Sequence, residues 1–173
     1  STYQYNIVAN QGSHIESYTL NGVTTTLGTN DDTLATVDIV AASQDTTLTV
    51  LFAINTYNVT LCTLDPAEGS MTAVTATATY GNPYDVTVRA NYVNGYHVET
   101  ITCGDSVATY GANIDTVINY TINSITSDTT VCATFELNEY TITATAGDNG
   151  TIEVAGENTI VWGSDTSFVI TPA

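Results

Sequence analysis

Gly12-Ser13-His14-Ile15-Glu16 returns 83 residues later as Gly95-Tyr96-His97-Val98-Glu99. Aligned without gaps at this offset, residues 12–57 and 95–140 are identical at 16 of 46 positions. Self-similarity at a fixed offset is typical of tandem structural repeats. The sequence therefore predicts repeat modules of about 83 residues.

The pattern within the modules is that of β-strands. Tyr140, Ile142 and Ala144 alternate with threonines, and Asp148-Asn149-Gly150 predicts a hairpin turn into the next strand. Further strands are predicted at 98–103, 118–122, 131–135, 160–162 and 168–170. Short strands separated by frequent turns favour a sandwich or barrel. We predict an all-β fold of tandem small β-sandwich-like modules.

Two groups of segments resemble the divergent internalin-B-type bacterial repeats. The first half of that repeat resembles 140–147, 149–152, 161–164 and 168–172, and the second half resembles 95–98 with 128–135. The resemblance implies tandem β modules of secreted and wall-attached bacterial proteins, which act as spacers or adhesive stalks without catalysis. This chain departs from the pattern in lacking lysine and in having Glu99-Thr100 where the repeat often has Gly-Trp.

When the boundaries of that repeat are applied to this chain, both ends of the chain fall in the middle of a module, so the modules are circularly out of phase with the chain. One complete module is predicted at 56–138, between the second half of a module at 1–55 and the first half of another at 139–173. The two ends overlap in this alignment, because 1–8 and 166–173 both correspond to 84–91.

The half-module at 139–173 has 35 residues and is too small to fold unsupported, since the usual limit is about 40 residues without disulfides or metals. Three ways of completing it remain open: another chain, a longer covalent array of which this is an excerpt, or closure of the two ends on each other. In the first case head-to-tail joining does not close and gives a fibre. The candidate assembly strands carry Tyr3, Tyr5 and Ile7 at one end and Phe168 and Ile170 at the other.

The charge balance excludes several partners. The chain has 18 acidic residues and no lysine, and Arg89 is its only arginine, which gives a net charge of −17. Nucleic-acid binding and attraction to an anionic membrane both require cations. No apolar run reaches the ~18 residues of a membrane span, so no membrane insertion is expected. The expected partner is a further copy of the chain itself.

Cys62, Cys103 and Cys132 lack the spacing of a zinc or redox motif. One disulfide within 56–138, with its pairing left open, and one remaining thiol are expected, as in a secreted protein. Candidate glycosylation sites are Asn58, Asn119 and Asn149. Ser1 does not begin a signal peptide, so the chain is expected to be mature or excised.

Candidate metal ligands fall into two groups. The pairs His14-x-Glu16 and His97-x-Glu99 offer two ligands each, and the simpler interpretation makes them solvent-facing neighbours of Ile15 and Val98. Acidic loops after a glycine carry Asp31, Asp32 and Asp115, a candidate Ca²⁺ site, and solvated loop acids are the alternative. No other cofactor is expected.

No constellation for catalysis is apparent, because both histidines occupy repeated strand positions, and no enzyme activity is expected. Tyr84, Tyr92 and Tyr96 are the candidates for a glycan- or surface-binding face. We predict a secreted structural subunit or segment of an extracellular fibre on a prokaryotic cell surface. The alternative is an adhesin or stalk repeat from a longer array.

Overall fold

The computed structural model describes residues 2–40 and 44–173, and it confirms the all-β prediction. Strands make up 59% of the described residues and helical residues 2%. The strands are β1 (Thr2–Val8), β2 (Ser13–Leu20), β3 (Val23–Thr26), β4 (Leu34–Val40), β5 (Leu48–Ile54), β6 (Thr56–Leu61), β7 (Gly69–Ala73), β8 (Thr77–Thr79), β9 (Tyr84–Ala90), β10 (Tyr96–Cys103), β11 (Ser106–Thr109), β12 (Val117–Ile122), β13 (Thr129–Leu137), β14 (Glu139–Ala144), β15 (Gly150–Ile152), β16 (Gly156–Val161) and β17 (Ile170–Pro172). A single 3₁₀ turn, Tyr92–Asn94, follows β9.

The chain forms two compact units. The first comprises Ser1–Thr60, Thr75–Tyr84 and Thr121–Thr129, and the second comprises Leu61–Val74, Asp85–Tyr120 and Thr130–Ala173. The predicted module boundaries at 55/56 and 138/139 are not tested by this division and stay a prediction.

The first unit is built on two small antiparallel sheets. One has the order β3-β2-β5, and the other pairs β1 with β4. Ile7 from β1, Ile15 from β2 and Val37 from β4 form its buried core. Side chains such as Tyr18 and Leu20 pack around this core, so the two sheets bury one face each.

The second unit contains the sheets β12-β9-β7, β14-β16 and β15-β17, together with β11-β10-β13. Its core side chains include Val86, Val88, Val98, Ile101 and Val131, each completely buried. Val86 and Val88 alternate along β9, as expected for a sheet with one apolar face. Val98 and Ile101 of β10 are three residues apart, because a bulge lies between Val98 and Thr100.

The hairpin predicted at Asp148-Asn149-Gly150 is wrong. β14, which precedes this turn, pairs with β16, whereas β15 after the turn pairs with β17. The turn therefore passes the chain from one sheet to another. Asn149 has φ +67°, which suits a turn residue, but period-two alternation does not specify which strand is the partner.

Candidate functional site: two open sheet edges

The first open edge runs along β1. This strand pairs antiparallel with β4 from Thr2↔Val40 to Val8↔Leu34, and Gln4 Nε2 donates to Asp38 Oδ1 at 2.9 Å across the pair. Within the described part of the chain this sheet has two strands, so the other side of β1 has no strand beside it. Backbone N–H and C=O groups on such a side are available to a further strand.

The predicted assembly residues of β1 lie on this incomplete sheet. Ile7 is buried against Ile15 and Val37. Tyr3 and Tyr5, on the same face, are 59% and 51% exposed. Large apolar rings therefore remain at the surface at two of the three alternating positions.

Strand β9 is the completed counterpart of β1. It is the central strand of the sheet β12-β9-β7, so both of its edges are paired. Its alternating residues Tyr84, Val86, Val88 and Ala90 are all at most 7% exposed. The same kind of strand is therefore buried when it has a neighbour on each side.

Hydrogen bonds fix the correspondence between β1 and β9. Ala9 N donates to Thr33 O at 2.9 Å, and Ala90 N donates to Thr116 O at the same distance. The two threonines are 83 residues apart, whereas the two alanines are 81 apart. The predicted correspondence of 1–8 with 84–91 is therefore wrong by two residues.

The two additional residues of the second copy lie in the 3₁₀ turn Tyr92–Asn94, just before Gly95. In the first copy the shorter connection Asn10-Gln11-Gly12 takes its place. An ungapped comparison of the two copies therefore displaces every residue of β1 by two positions relative to β9. In the corrected correspondence Tyr3 matches Tyr84, Tyr5 matches Val86, and Ile7 matches Val88.

The second open edge runs along β17. This strand pairs with β15 through Gly150↔Pro172, Thr151↔Thr171 and Ile152↔Ile170, and its residues are all exposed. Ile170 is 74% exposed. Phe168 is half-buried and lies ahead of the strand, so the prediction that placed it within the strand is wrong. The sheet has two strands among the described residues.

The register of β17 on β15 matches that of β9 on β7. Gly69 lies opposite Ala90, and Gly150 lies opposite Pro172. Ala90 uses its N–H to bond the strand on the other side, at Thr116 O. Pro172 has no N–H, so it cannot form the corresponding bond.

In the sheet β12-β9-β7, Gly69 leaves room for an aromatic ring, and we call such a position a glycine socket. A Cβ at Gly69 would overlap the ring of Phe135 and approach Arg89 O to 2.6 Å, so only glycine fits against this ring. In the repeat, Phe52 corresponds to Phe135: each lies opposite the residue after the repeated histidine. Phe52 is 47% exposed, and Gly150, the counterpart of Gly69, has no ring against it.

Both histidines are buried, so the interpretation that makes them solvent-facing neighbours of Ile15 and Val98 is wrong. His14 Nδ1 donates to Asn55 Oδ1 at 2.9 Å, and His97 Nδ1 donates to Asn138 Oδ1 at 2.9 Å. Each histidine and the residue after it are both buried, and a bulge follows them, between Ile15 and Ser17 in β2 and between Val98 and Thr100 in β10. The sequence pattern did not identify the two asparagines.

The two histidines differ at Nε2. His14 Nε2 lies 3.4 Å from Glu16 Oε2, whereas His97 Nε2 is buried and has no hydrogen-bond partner among the residues that the structure describes. Glu99 instead accepts a hydrogen bond from Thr134 Oγ1 at 3.0 Å. The His-x-Glu pair therefore brings two side chains together in the first copy alone.

A ring packed on a glycine recurs beside each histidine. Gly12 has φ +77° and lies against the ring of Tyr80, and Gly95 has φ +80° and lies against the ring of Trp162. Tyr80 also packs near Tyr57, with ring centroids 6.5 Å apart. These aromatic side chains support local packing.

Two of the predicted calcium ligands accept hydrogen bonds from residues of their own loops. Asp32 Oδ2 accepts from Thr29 N and Thr29 Oγ1, both at 2.7 Å, and Asp115 Oδ2 accepts from Ala112 N at 2.9 Å. The hydrogen bonds to Thr29 lower the pKa of Asp32 from its ordinary value. Asp31 is exposed. Among residues 2–40 and 44–173, no three His, Cys, Asp or Glu side chains are grouped as a metal site.

Comparison with known proteins identifies no relative. No protein-family model, curated protein or solved structure matches this chain. The internalin-B-type resemblance stays a prediction.

The cysteines form one disulfide, between Cys62 and Cys132, with Cα atoms 4.9 Å apart. Cys103 is free and half-buried, and burial raises the pKa of its thiol. This arrangement decides the pairing that the sequence left open.

The candidate surface residues divide into exposed and buried groups. The sequon asparagines Asn58, Asn119 and Asn149 are all exposed. Of the predicted adhesive tyrosines, Tyr92 is 68% exposed, whereas Tyr84 is 7% exposed and hydrogen-bonds through its hydroxyl to Thr75 O, so its assignment is wrong. Tyr96 is half-buried. No helix in the described ranges is long and apolar enough to cross a membrane.

Proposed function

We propose that this chain is a structural subunit or segment of an extracellular fibre, joined head to tail through its two open sheet edges. The modules are tandem, sandwich-like and about 83 residues long, with one complete module at 56–138 between half-modules at 1–55 and 139–173. In this proposal each half-module is completed by its complement from the next copy.

One observation carries the proposal. Tyr3 and Tyr5 are more than half exposed on β1, whereas Tyr84 and Val86, at the corresponding positions of β9, are buried. A strand of the same pattern is thus stable in the interior when a third strand is beside it. An exposed apolar strand with a free edge is otherwise prone to aggregation.

Location outside the cell is supported by the disulfide, because such bonds persist in oxidising compartments. A prokaryotic cell surface is implied by the internalin-B-type resemblance alone. No nucleic-acid or membrane partner enters the proposal, since the net charge of −17 disfavours both.

An adhesin or stalk repeat from a longer array is the second candidate. It is favoured by Tyr92 and Val93, adjacent residues of the 3₁₀ turn that are 68% and 66% exposed. Binding of a glycan array by the monomeric protein, abolished by Tyr92→Ala, would support this function over fibre formation.

Light scattering of the purified 173-residue protein, followed by negative-stain microscopy, tests the fibre. We expect a mass above 18.2 kDa that grows with protein concentration and with salt, because salt screens repulsion between chains of the same charge. An 18.2 kDa monomer at every concentration would contradict the proposal. Parallel samples with EDTA or Ca²⁺ test whether the acidic loops take part.

A further inference from the structure

We infer that β1 of a second copy of this chain replaces β17 beside β15, and that its Phe52 packs on Gly150. The inference rests on the proposed head-to-tail assembly and names the strand that completes it. The completed sheet would have β1 between β4 of its own chain and β15 of the other, as β9 lies between β12 and β7.

Two strands of the β9 type compete for one position beside β15, and β17 is the weaker. β17 is paired over three residues, whereas β1 is held by β4 over seven. Pro172 also lacks the N–H that a central strand uses on its second side. Replacing β17 therefore exchanges a short edge strand for one already anchored in a sheet.

The register follows from β7 and β9. Gly69↔Ala90 and Met71↔Val88 in the complete sheet become Gly150 opposite Ala9, and Ile152 opposite Ile7, across the two copies. The pair between them is Thr151 opposite Val8. Both of these side chains are exposed, so they point away from the core and tolerate substitution.

Burial supplies the driving force. Tyr3 and Tyr5 are 59% and 51% exposed in the free chain, and their counterparts Tyr84 and Val86 are 7% and 0% exposed. Covering two aromatic side chains stabilises an interface mainly by removing apolar surface from water. Main-chain hydrogen bonds from the free edge of β1 add register specificity.

Phe52 and Gly150 provide a second, independent point of fit. The ring of Phe135 occupies the space in front of Gly69, where no Cβ could be placed. Phe52 holds the place of Phe135 on β5 and is 47% exposed. Gly150 holds the place of Gly69, and the nearest atoms to a Cβ there are backbone atoms of Thr171 and Pro172. Departure of β17 opens this socket to Phe52 of the second copy.

Cross-linking of chains that have a single free cysteine tests the register. Val8→Cys and Thr151→Cys are made separately in a Cys103→Ala background, with a mass tag on the second chain, and the two proteins are mixed and oxidised. Each chain then has one free cysteine beside the Cys62–Cys132 disulfide, so the new cysteine cannot close on a second free cysteine of its own chain. Asn6→Cys replaces Val8→Cys as the matched control, because it lies opposite Thr151 only if the uncorrected 83-residue offset applied to β1.

We expect about tenfold more disulfide-linked heterodimer from Val8→Cys than from Asn6→Cys, because a disulfide needs Cα atoms within about 7 Å. Equal or reversed yields, or no heterodimer while filaments still form, would overturn this inference and leave the fibre proposal standing. Monomers throughout, seen by light scattering of the unmutated chain, would overturn both. Circular dichroism of each variant checks that it folds.

Discussion

Strands β1 and β9 share a side-chain pattern and equivalent hydrogen bonds on one side, and they differ on the other side. Ala9 and Ala90 bond Thr33 and Thr116 at the same distance of 2.9 Å. β7 then covers the second edge of β9, whereas β1 has no such strand among the described residues. The exposure of Tyr3 and Tyr5 therefore coincides with a free edge on a strand of the same kind.

The largest effect is expected from the disulfide, which belongs to the unit that contains β7 and most of β9. Cys62→Ala combined with Cys132→Ala releases a link with sequence separation 70. We expect the free energy of unfolding to fall by about 4 kcal/mol, measured by urea denaturation. Cys103→Ala is the matched control, with an expected loss below about 1 kcal/mol. Equal losses would mean that the link does not stabilise this unit.

The next effect compares the two glycine sockets. Gly69→Ala forces a Cβ onto the Phe135 ring and Arg89 O, so we expect a loss of about 3 kcal/mol in unfolding free energy. Gly150→Ala meets its nearest atom, Thr171 O, at 3.2 Å and should cost less than about 1 kcal/mol in the monomer. It should nevertheless block assembly. A normal yield of filaments from Gly150→Ala would show that Phe52 does not pack on Gly150.

A smaller effect is expected where a ring packs on a glycine near His97. Gly95→Ala and Gly104→Ala both place a side chain at positive φ, +80° and +55°, which costs about 1–2 kcal/mol each. Gly95→Ala also meets the Trp162 ring, whereas nothing lies within 4 Å at Gly104. Thermal and urea denaturation should therefore show Gly95→Ala to be worse by about 2 kcal/mol. Equal losses would mean that the ring yields freely.

The smallest effect concerns pH. The folded pKa of Asp32 is lowered below 3.8 by hydrogen bonds from Thr29, so its stabilisation is present above that value and is lost as pH falls through the folded pKa. Asp32→Asn should lower the Tm slightly at pH 7, and the difference from the unmutated protein should vanish in acid. Asp31→Asn, the adjacent exposed carboxylate, is the control and should show no such trend. A constant difference would contradict the assignment.

The sequence was sufficient for the all-β class and for the position of β1, because alternation along Tyr3, Tyr5 and Ile7 is a local property. It was insufficient for strand partners, as at Asp148-Asn149-Gly150, since a turn does not specify which sheet the next strand joins. It was also insufficient for His14 and His97, which are buried although period two, with Ile15 and Val98 facing the core, places them in solvent.

The candidate site was recovered in part. The strands that carry it were identified, but their correspondence was displaced by two residues, because the 3₁₀ turn at Tyr92–Asn94 has no counterpart of equal length before Gly12. The sequence did not identify Phe52 and Gly150 as possible packing partners. Only the folded chain shows that the Phe135 ring packs on Gly69, and hence that a glycine is required at this position.

Hydrogen exchange at β1 tests the central claim most directly. Ile7 and Tyr5 direct their N–H groups toward β4, in phase with Ala9, so Asn6 and Val8 direct theirs toward the free edge. Assembled protein is exchanged, dissolved under quenching conditions and compared with monomer by NMR. We predict that the Asn6 and Val8 amides exchange about a hundredfold more slowly after assembly, with little change at Ile7. Filaments in which Asn6 and Val8 exchange as fast as in the monomer would contradict the claim.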